Sequence, residues 1–294
     1  MVAIFRYDNM EMTLLIGLDA ASYILTLLLV CIGLVIIFGM MNVINLAHGE
    51  FFLLGAYTVV LLQQYALPFA VILVVAFVFV ALVGLLIEEV VIRRIYHRFL
   101  DTILATWGIS LALKQLVIIL FGPGSQQAVA PFVEPVAMFG ITYSSYRLFV
   151  MAMAIAITAA TFFILFRTRL GLTARGVIAN RQMASCLGVN TRRVDRVTFA
   201  FGSGLAGLAG AIMAPLMSVD PQMGVGFLVP AFLSVLVGGT ASPLGALWGA
   251  GIIGGSNSVV AAVWTPVIAQ IVVFSLAILI IRLMPNGLTG RRRR

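Results

Sequence analysis

The densest set of chemically capable side chains is Asn42-Val43-Ile44-Asn45-Leu46-Ala47-His48-Gly49-Glu50: two amides, an imidazole and a carboxylate set between apolar stretches. A charged group at mid-bilayer costs roughly 2.5–3.5 kcal/mol even on insertion scales, so in an apolar chain such residues face a protein interior or a watery cavity. Two readings follow. Asn42, Asn45, His48 and Glu50 line a path, with a helix end or amides meeting a solute; or the Asn and Glu side chains cap a helix beginning at Phe51. A second break, Gly238-Gly239 followed by Pro243, is a candidate for the same path. His48 has no second ligand at suitable spacing, so no metal site is expected. No Ser/Lys or paired-Asp arrangement accompanies His48 and Glu50, and His97 sits in a basic loop, so no catalytic residue is assigned.

Two other patterns carry less chemistry than their letters suggest. Gly202-Ser203-Gly204-Leu205-Ala206-Gly207 matches a dinucleotide-binding pattern, but no strand precedes it and Gly210 continues the spacing in an apolar run. Small residues at such intervals let membrane helices approach closely. The single lysine, Lys114, lies between Leu113 and Gln115, so no phosphate-binding loop ending in Gly-Lys-Ser/Thr exists. Lys114 itself reads as snorkelling to a headgroup or as neutralised by Glu88 or Glu89. Cys31 and Cys186 suggest neither a disulfide framework nor a metal site.

The elements that must position these residues follow from composition. The chain is 62% apolar and 10% charged with a mean hydropathy of +1.15, whereas soluble domains average about 45–50% and about 25%. The expected fold is all-α, a polytopic membrane protein of about eight transmembrane helices forming one domain over 1–294. Spans are predicted near 20–38, 51–66, 68–92, 102–121, 147–166, 197–217 and 264–283. Shorter runs at 227–237 and 243–260, like the segment 39–50, read as broken or re-entrant, and the broken regions as counterparts in an inverted repeat.

Basic residues cluster at Arg93, Arg94 and Arg98, through 167–196, and at Arg291 to Arg294, while the loop 122–146 carries Pro123, Pro131, Glu134 and Pro135. The positive-inside rule places the first three in the cytoplasm with the C-terminus, and the last outside; such local clustering marks membrane loops rather than a nucleic-acid surface. Within 167–196, Thr173 is positioned to cap a short helix through Ala184 to Leu187, stopped by Gly188. Its Val177, Ile178, Met183, Ala184 and Leu187 would form an apolar stripe ringed by arginines, a docking element for a cytoplasmic partner or a basic loop on anionic headgroups. These features point to solute transport; an ion-coupled carrier acting alone is the alternative, weakened by Glu50 being the lone acidic residue well inside a span.

Residues 39–57 (GMMNVINLAHGEFFLLGAY) resemble the permease subunits of branched-chain amino acid ABC importers, the LivH/LivM-like family. The resemblance continues through GLTARGVIANRQMASCLGVNTRRV, TFAFGSGLAGLAGAI, VLVGGTASPLGALWGAGIIGG and MPNGL, in family order over most of the chain. VIRRIYHRFLDTILATWGISL and NRQMASCLGVNTRRVD look closer to the urea and short-amide branch, although Phe99 stands where that branch usually has proline. The stretch from Val219-Asp220-Pro221-Gln222 onward also departs from that branch. The resemblance implies an inner-membrane importer of bacteria, built from this permease, a second related permease, two ATP-binding subunits and a periplasmic solute-binding protein. ATP and Mg would be bound by the partner ATPases and no cofactor by this chain. Arg175, Asn180, Met183, Ala184, Leu187 and Gly188 would couple the chain to an ATPase cleft.

Overall fold

The structure, a computed structural model, describes residues 2–41, 43–96, 98–138, 141–240 and 243–289, with the side chains of 2–10, Met40, Phe99 and Met138 left aside. Asn42, His97 and the Arg291–Arg294 tail lie outside the described residues.

The fold is helical apart from one short hairpin. In chain order the elements are α1 (Val2–Met41), α2 (His48–Leu62), α3 (Phe69–Ile87), α4 (Arg93–Ile95), α5 (Phe99–Phe121), strands β1 (Pro135–Met138) and β2 (Ile141–Ser144), α6 (Ser145–Arg167), α7 (Arg169–Ala179), α8 (Arg181–Cys186), α9 (Thr191–Met213), α10 (Met223–Gly238), α11 (Pro243–Val263) and α12 (Pro266–Leu283). A π-helical turn over Glu88–Ile92 joins α3 to α4. Among the described residues seven helices are long and apolar enough to cross a membrane, and Met223–Gly238 is a shorter apolar one. The polytopic all-α expectation therefore holds.

One predicted break is absent. Residues 243–260 were expected to be re-entrant, yet α11 is a continuous helix of 21 residues. Pro243 is pre-set for a helix start. Gly245 and Gly249 pack against α10: a Cβ on Gly245 would fall 2.5 Å from Gly238 O, and one on Gly249 would strike the backbone of Ser234. Close backbone packing offsets the helix penalty of glycine, about 1 kcal/mol against alanine.

The small-residue helix α9 is the axle of the fold. A Cβ on Gly33 of α1 would lie 2.6 Å from Gly202 O and one on Gly202 2.8 Å from Gly33 O, while Gly55 and Gly207 bring α2 onto α9. The glycine run thus packs helices, as its spacing indicated. Asp19, on α1, accepts from Tyr143 (3.0 Å) and pairs with Arg147 at the start of α6. At the other end of the bundle Arg196 of α9 pairs with Glu88 and Glu89 beyond α3. These contacts fix two ends, a basic face and an opposite face, and show that α1 and α9 run in opposite directions.

The neighbour relations carry an internal two-fold. Helix α2 packs on α9 as α10 packs on α1; α3 lies along α9 as α11 lies along α1; and α2 meets α10 while α1 meets α9. Residues α1–α2–α3–α5 thereby correspond to α9–α10–α11–α12 in the opposite orientation, with α6 as the crossing between them. The counterpart of the 39–50 break is the start of α10 at Gln222–Gly224, not the glycine turn at its end.

Candidate functional site

Between α1 and α2, residues 43–47 run without helix. Non-helical backbone inside a bundle needs other partners, and α5 supplies them: Thr106 Oγ1 donates to Ile44 O (3.3 Å) and accepts from Leu46 N (3.2 Å). Asn45 Oδ1 accepts from Ala47 N (3.0 Å) to turn the chain. His48 Nε2 lies 3.2 Å from Val30 O and pins the start of α2 to the middle of α1. This contact occupies Nε2 alone and leaves Nδ1 without a partner among the described residues.

Helix α2 begins at His48, with Ala47 as N-cap and no side-chain cap, so Glu50 lies in its first turn. Its N-terminus faces that of α10: a Cβ on Gly49 would fall 2.7 Å from Gly224 O, a spacing that only two glycines allow. Two helix starts, each with a partial positive charge, therefore abut inside the bundle, although His48 N, Glu50 N, Met223 N and Val225 N already bond the preceding turns.

A polar cluster surrounds this junction. Ser110 donates to Glu50 Oε1 (2.9 Å), and one turn along the same helix Lys114 Nζ donates to Gln222 Oε1 (3.4 Å), whose own backbone N–H bonds Asp220 Oδ1 (2.7 Å). Asn45, His48 and Glu50 are 2%, 0% and 1% exposed. Yet Glu50 Oε2, Asn45 Nδ2, His48 Nδ1 and the nearby Tyr57 hydroxyl have no hydrogen-bond partner among the described residues. A buried polar group without a partner costs about 1–3 kcal/mol, so Glu50 Oε2, Asn45 Nδ2 and His48 Nδ1 beside the α2 start, with the Tyr57 hydroxyl two turns further along α2, make this region the candidate site. The cluster reaches the surface of the chain at Gln222 and Lys114.

Of the two expectations for Lys114, snorkelling or a partner such as Glu88 or Glu89, the structure overturns the pairing. Glu89 pairs with Arg93 and Arg196 at the basic face, while Lys114 faces Gln222 within the polar cluster. Ser110, Thr106 and Gln222 were not singled out; lone hydroxyls and amides in an apolar run give no periodic signal, and only the fold shows where they converge. Gly238 and Gly239 lie apart from Asn45, His48 and Glu50, about 21 Å along α10 from its start at a rise of ~1.5 Å per residue. There Gly238 O accepts from Thr289 N (3.1 Å) and Oγ1 (2.7 Å), and Gly239 adopts φ +105, closing a turn against the C-terminal segment.

The segment 167–196 forms a knuckle of two short helices rather than one. The predicted cap Thr173 bonds Arg169 O instead (2.8 Å). The actual N-caps are Thr168, Asn180 and Asn190, whose side-chain oxygens accept from Gly171 N (3.3 Å), Met183 N (2.9 Å) and Arg193 N (3.1 Å). Asn180 competes with the helix backbone and splits the segment. At the end of α8, Val189 N bonds Ala184 O (3.0 Å) and Gly188 takes φ +82, a left-handed helix stop that favours glycine.

The expected apolar stripe divides. Val177 and Ala184 turn inward at 3% and 7% exposure, while Met183 and Leu187 project at 58% and 77%. Arg175 stacks over the Phe166 ring, 5.1 Å from its centroid. Arg181 forks onto the buried carboxylate of Asp195 and lies 5.7 Å from the Tyr96 ring centroid. Burial holds the Tyr96 hydroxyl well above the usual tyrosine range, with Asp195 and Glu88 acting in the same direction. The knuckle is thus locked to α9 while offering an apolar tip.

The model of the family described as "Branched-chain amino acid transport system / permease component" matches residues 17–282. The high-affinity branched-chain amino acid transport system permease protein LivH of Salmonella typhimurium is 28% identical over 285 residues, covering 90% of this chain and 92% of the relative. LivH of Escherichia coli K12 shares the same identity and coverage. The permease protein BraD of Pseudomonas aeruginosa is 28% identical over 295 residues, covering 94% of each chain. No solved structure matches.

Proposed function

Because the chain belongs to the family of branched-chain amino acid transport system permease components, we propose that it is the membrane-spanning permease of an ATP-driven importer that passes a branched-chain amino acid or a related small solute inward. Its working assembly comprises a second related permease, two ATP-binding subunits that hold ATP and Mg, and an external solute-binding protein, in a bacterial inner membrane with the basic face and C-terminus in the cytoplasm. This chain performs no hydrolysis.

The observation that carries the reading is the junction of α2 and α10, where Glu50 Oε2 is buried and unpaired beside two abutting helix starts. Helix N-termini and Lys114 suit a carboxylate, and Glu50 and Asp220 suit an ammonium group. That combination favours a zwitterion over urea or a short amide, which carry neither charge. The cluster opens at Gln222, where the second permease completes the pathway.

Coupling is supported by a continuous chain of contacts. The tip residues Met183 and Leu187 engage the ATPase. Arg181 passes displacement of α8 to Asp195 of α9, and Arg196 ties α9 to Glu88 (3.9 Å) and Glu89 at the end of α3. Helix α9 in turn bears on α2 at Gly207 and Gly210, whose small size leaves no slack. Motion of the knuckle thereby reaches the start of α2.

Reconstitution into proteoliposomes tests the proposal. With ATP-binding subunits and binding protein present, leucine-like solutes are taken up in an ATP-dependent manner and urea does not compete. Uptake by the lone chain driven by an ion gradient would replace this reading with that of a secondary carrier.

A further inference from the structure

A cavity of about 1030 Å³ opens on the basic face, away from the α2–α10 junction. Its walls come from the last turns of α1 (Val35, Ile36), the end of α6 (Phe166), the start of α9 (Val197, Phe201) and the start of α11 (Leu244). Two arginines, Arg175 and Arg193, stand among the lining residues together with the polar Thr173 and Asn190, and no acidic side chain lines it.

Of the seven arginines at 167–196, two are ion-paired among the described residues and two others line the cavity. Arg181 and Arg196 are paired with Asp195 and with Glu88 and Glu89, on the side of α9 that faces α3. Arg175 and Arg193, on the cavity side, make no ion pair among the described residues. Arg175 spends only its Nε, on Gly171 O (3.4 Å), and is held in place by the Phe166 ring. Two uncompensated guanidinium groups facing one apolar chamber define a ligand with an anionic head and a hydrocarbon body. A free phosphate or nucleotide would leave the apolar walls without a partner. A neutral solute would leave the arginines without one.

Depth supplies the remaining constraint. Val35 and Ile36 belong to the membrane-spanning part of α1, as Phe201 does to that of α9, so the chamber reaches into the hydrocarbon layer. The arginines lie where α6 and α9 leave it. We propose that this cavity is a binding site for an anionic phospholipid, its phosphate held between Arg175 and Arg193 and an acyl chain lying along Ile36, Val197 and Phe201. Basic pockets between helices at a membrane face hold anionic headgroups in this way, and guanidinium forks match phosphate geometry. The lipid is a wedge between α7 and the α1–α11 pair, so its presence sets how firmly the coupling knuckle rests on the core.

The test uses the full chain in nanodiscs of phosphatidylcholine with a minor fraction of phosphatidylglycerol, followed by gentle delipidation and native mass spectrometry. One or two phosphatidylglycerol molecules are expected to remain bound, in preference to phosphatidylcholine. Replacing both arginines (Arg175→Gln with Arg193→Gln) lowers phosphatidylglycerol retention by about tenfold or more. Val197→Trp, which fills the apolar part without touching charge, lowers it as well; this second variant guards against misfolding of the first. Equal retention in wild type and both variants overturns the proposal. So does displacement by inorganic phosphate as effective as by phosphatidylglycerol, or a photocrosslinker at Val197 that traps a polypeptide of the assembled transporter instead of lipid. The readout is lipid binding alone, so it stands or falls separately from the transport reading.

Discussion

The knuckle at 168–190 and the break at 43–50 share Asn, Gly and small apolar side chains, and treat them in opposite ways. In the knuckle each helix start has a side-chain cap, the helix end has its glycine stop, Arg181 has its carboxylate, and Arg175 is held by Gly171 O and the Phe166 ring. At the break α2 has no cap, and Asn45, His48 and Glu50 each leave a buried polar atom without a partner among the described residues. Under the function proposed above, the difference is one of purpose. A lever must transmit displacement, and saturated hydrogen bonding makes it stiff. A pathway must exchange partners with a passing solute, and a saturated pathway would have nothing to offer it.

Charge removal at the break is the strongest way to challenge that contrast. Glu50→Gln keeps the bond from Ser110 and removes the carboxylate that faces the helix junction. Solute uptake is expected to fall about tenfold or more, by analogy with the loss of one charge-assisted contact at about 1.5–3 kcal/mol, while thermal stability in detergent is unchanged or raised. Unchanged uptake with a lowered melting temperature would make Glu50 a packing residue and dissolve the contrast.

The knuckle answers to a different measurement. Leu187→Asp places a charge on the exposed tip without disturbing a buried contact. It should reduce solute-stimulated ATPase activity about tenfold, consistent with losing one interface anchor worth about 1–2 kcal/mol. Insertion and melting temperature should not change. Full stimulation in this variant would remove the tip from the coupling path. Asp195→Asn probes the root of the same lever. It trades a forked ion pair for a neutral bond and leaves Arg181, which is half exposed, able to reach water. The expected cost is about 1–2 kcal/mol in stability, with coupling weakened in step; an unshifted melting temperature would show that the knuckle is not anchored through Asp195.

How much of this contrast the sequence carried depended on whether the signal was local. The spans, the polar run 42–50 and the packing glycines of α9 were legible because hydropathy and small-residue spacing are local and periodic. The seam at Gly49 and Gly224 was not, because it joins residues far apart in the chain and glycine spacing does not name its partner. Gly238 and Gly239 drew attention as a conspicuous turn, but a turn and a helix start look alike in sequence, and the inverted partner of the first break proved to be Gln222–Gly224. The pairing of Lys114 with Glu88 or Glu89 fails for a related reason: those carboxylates lie at the basic face, whereas α5 carries Lys114 towards the opposite one. In the knuckle the sequence offers several residues of capping type; the expected cap was Thr173, whereas the fold uses Thr168 and Asn180 and turns Val177 and Ala184 inward.

That choice yields the smallest expected effect and the cleanest comparison of the two regions. Asn180 closes α7 and opens α8 by accepting from Met183 N (2.9 Å). Asn180→Ala removes the acceptor and should cost about 1 kcal/mol, the usual price of an N-cap, read as a lowered melting temperature and faster amide exchange at Met183. Asn180→Asp keeps the oxygen and adds a charge that the helix start favours by about 0.3–1 kcal/mol, so stability should return to or exceed that of the wild type. Asn45→Ala is the counterpart at the break, where the side chain turns the chain through Ala47 N (3.0 Å) but leaves Nδ2 unpaired. Losing a bond and an orphaned donor together should nearly cancel in stability, while solute uptake falls. If Asn45→Ala proves as destabilising as Asn180→Ala and leaves uptake intact, the break is saturated by bonds outside the described residues and belongs with the lever.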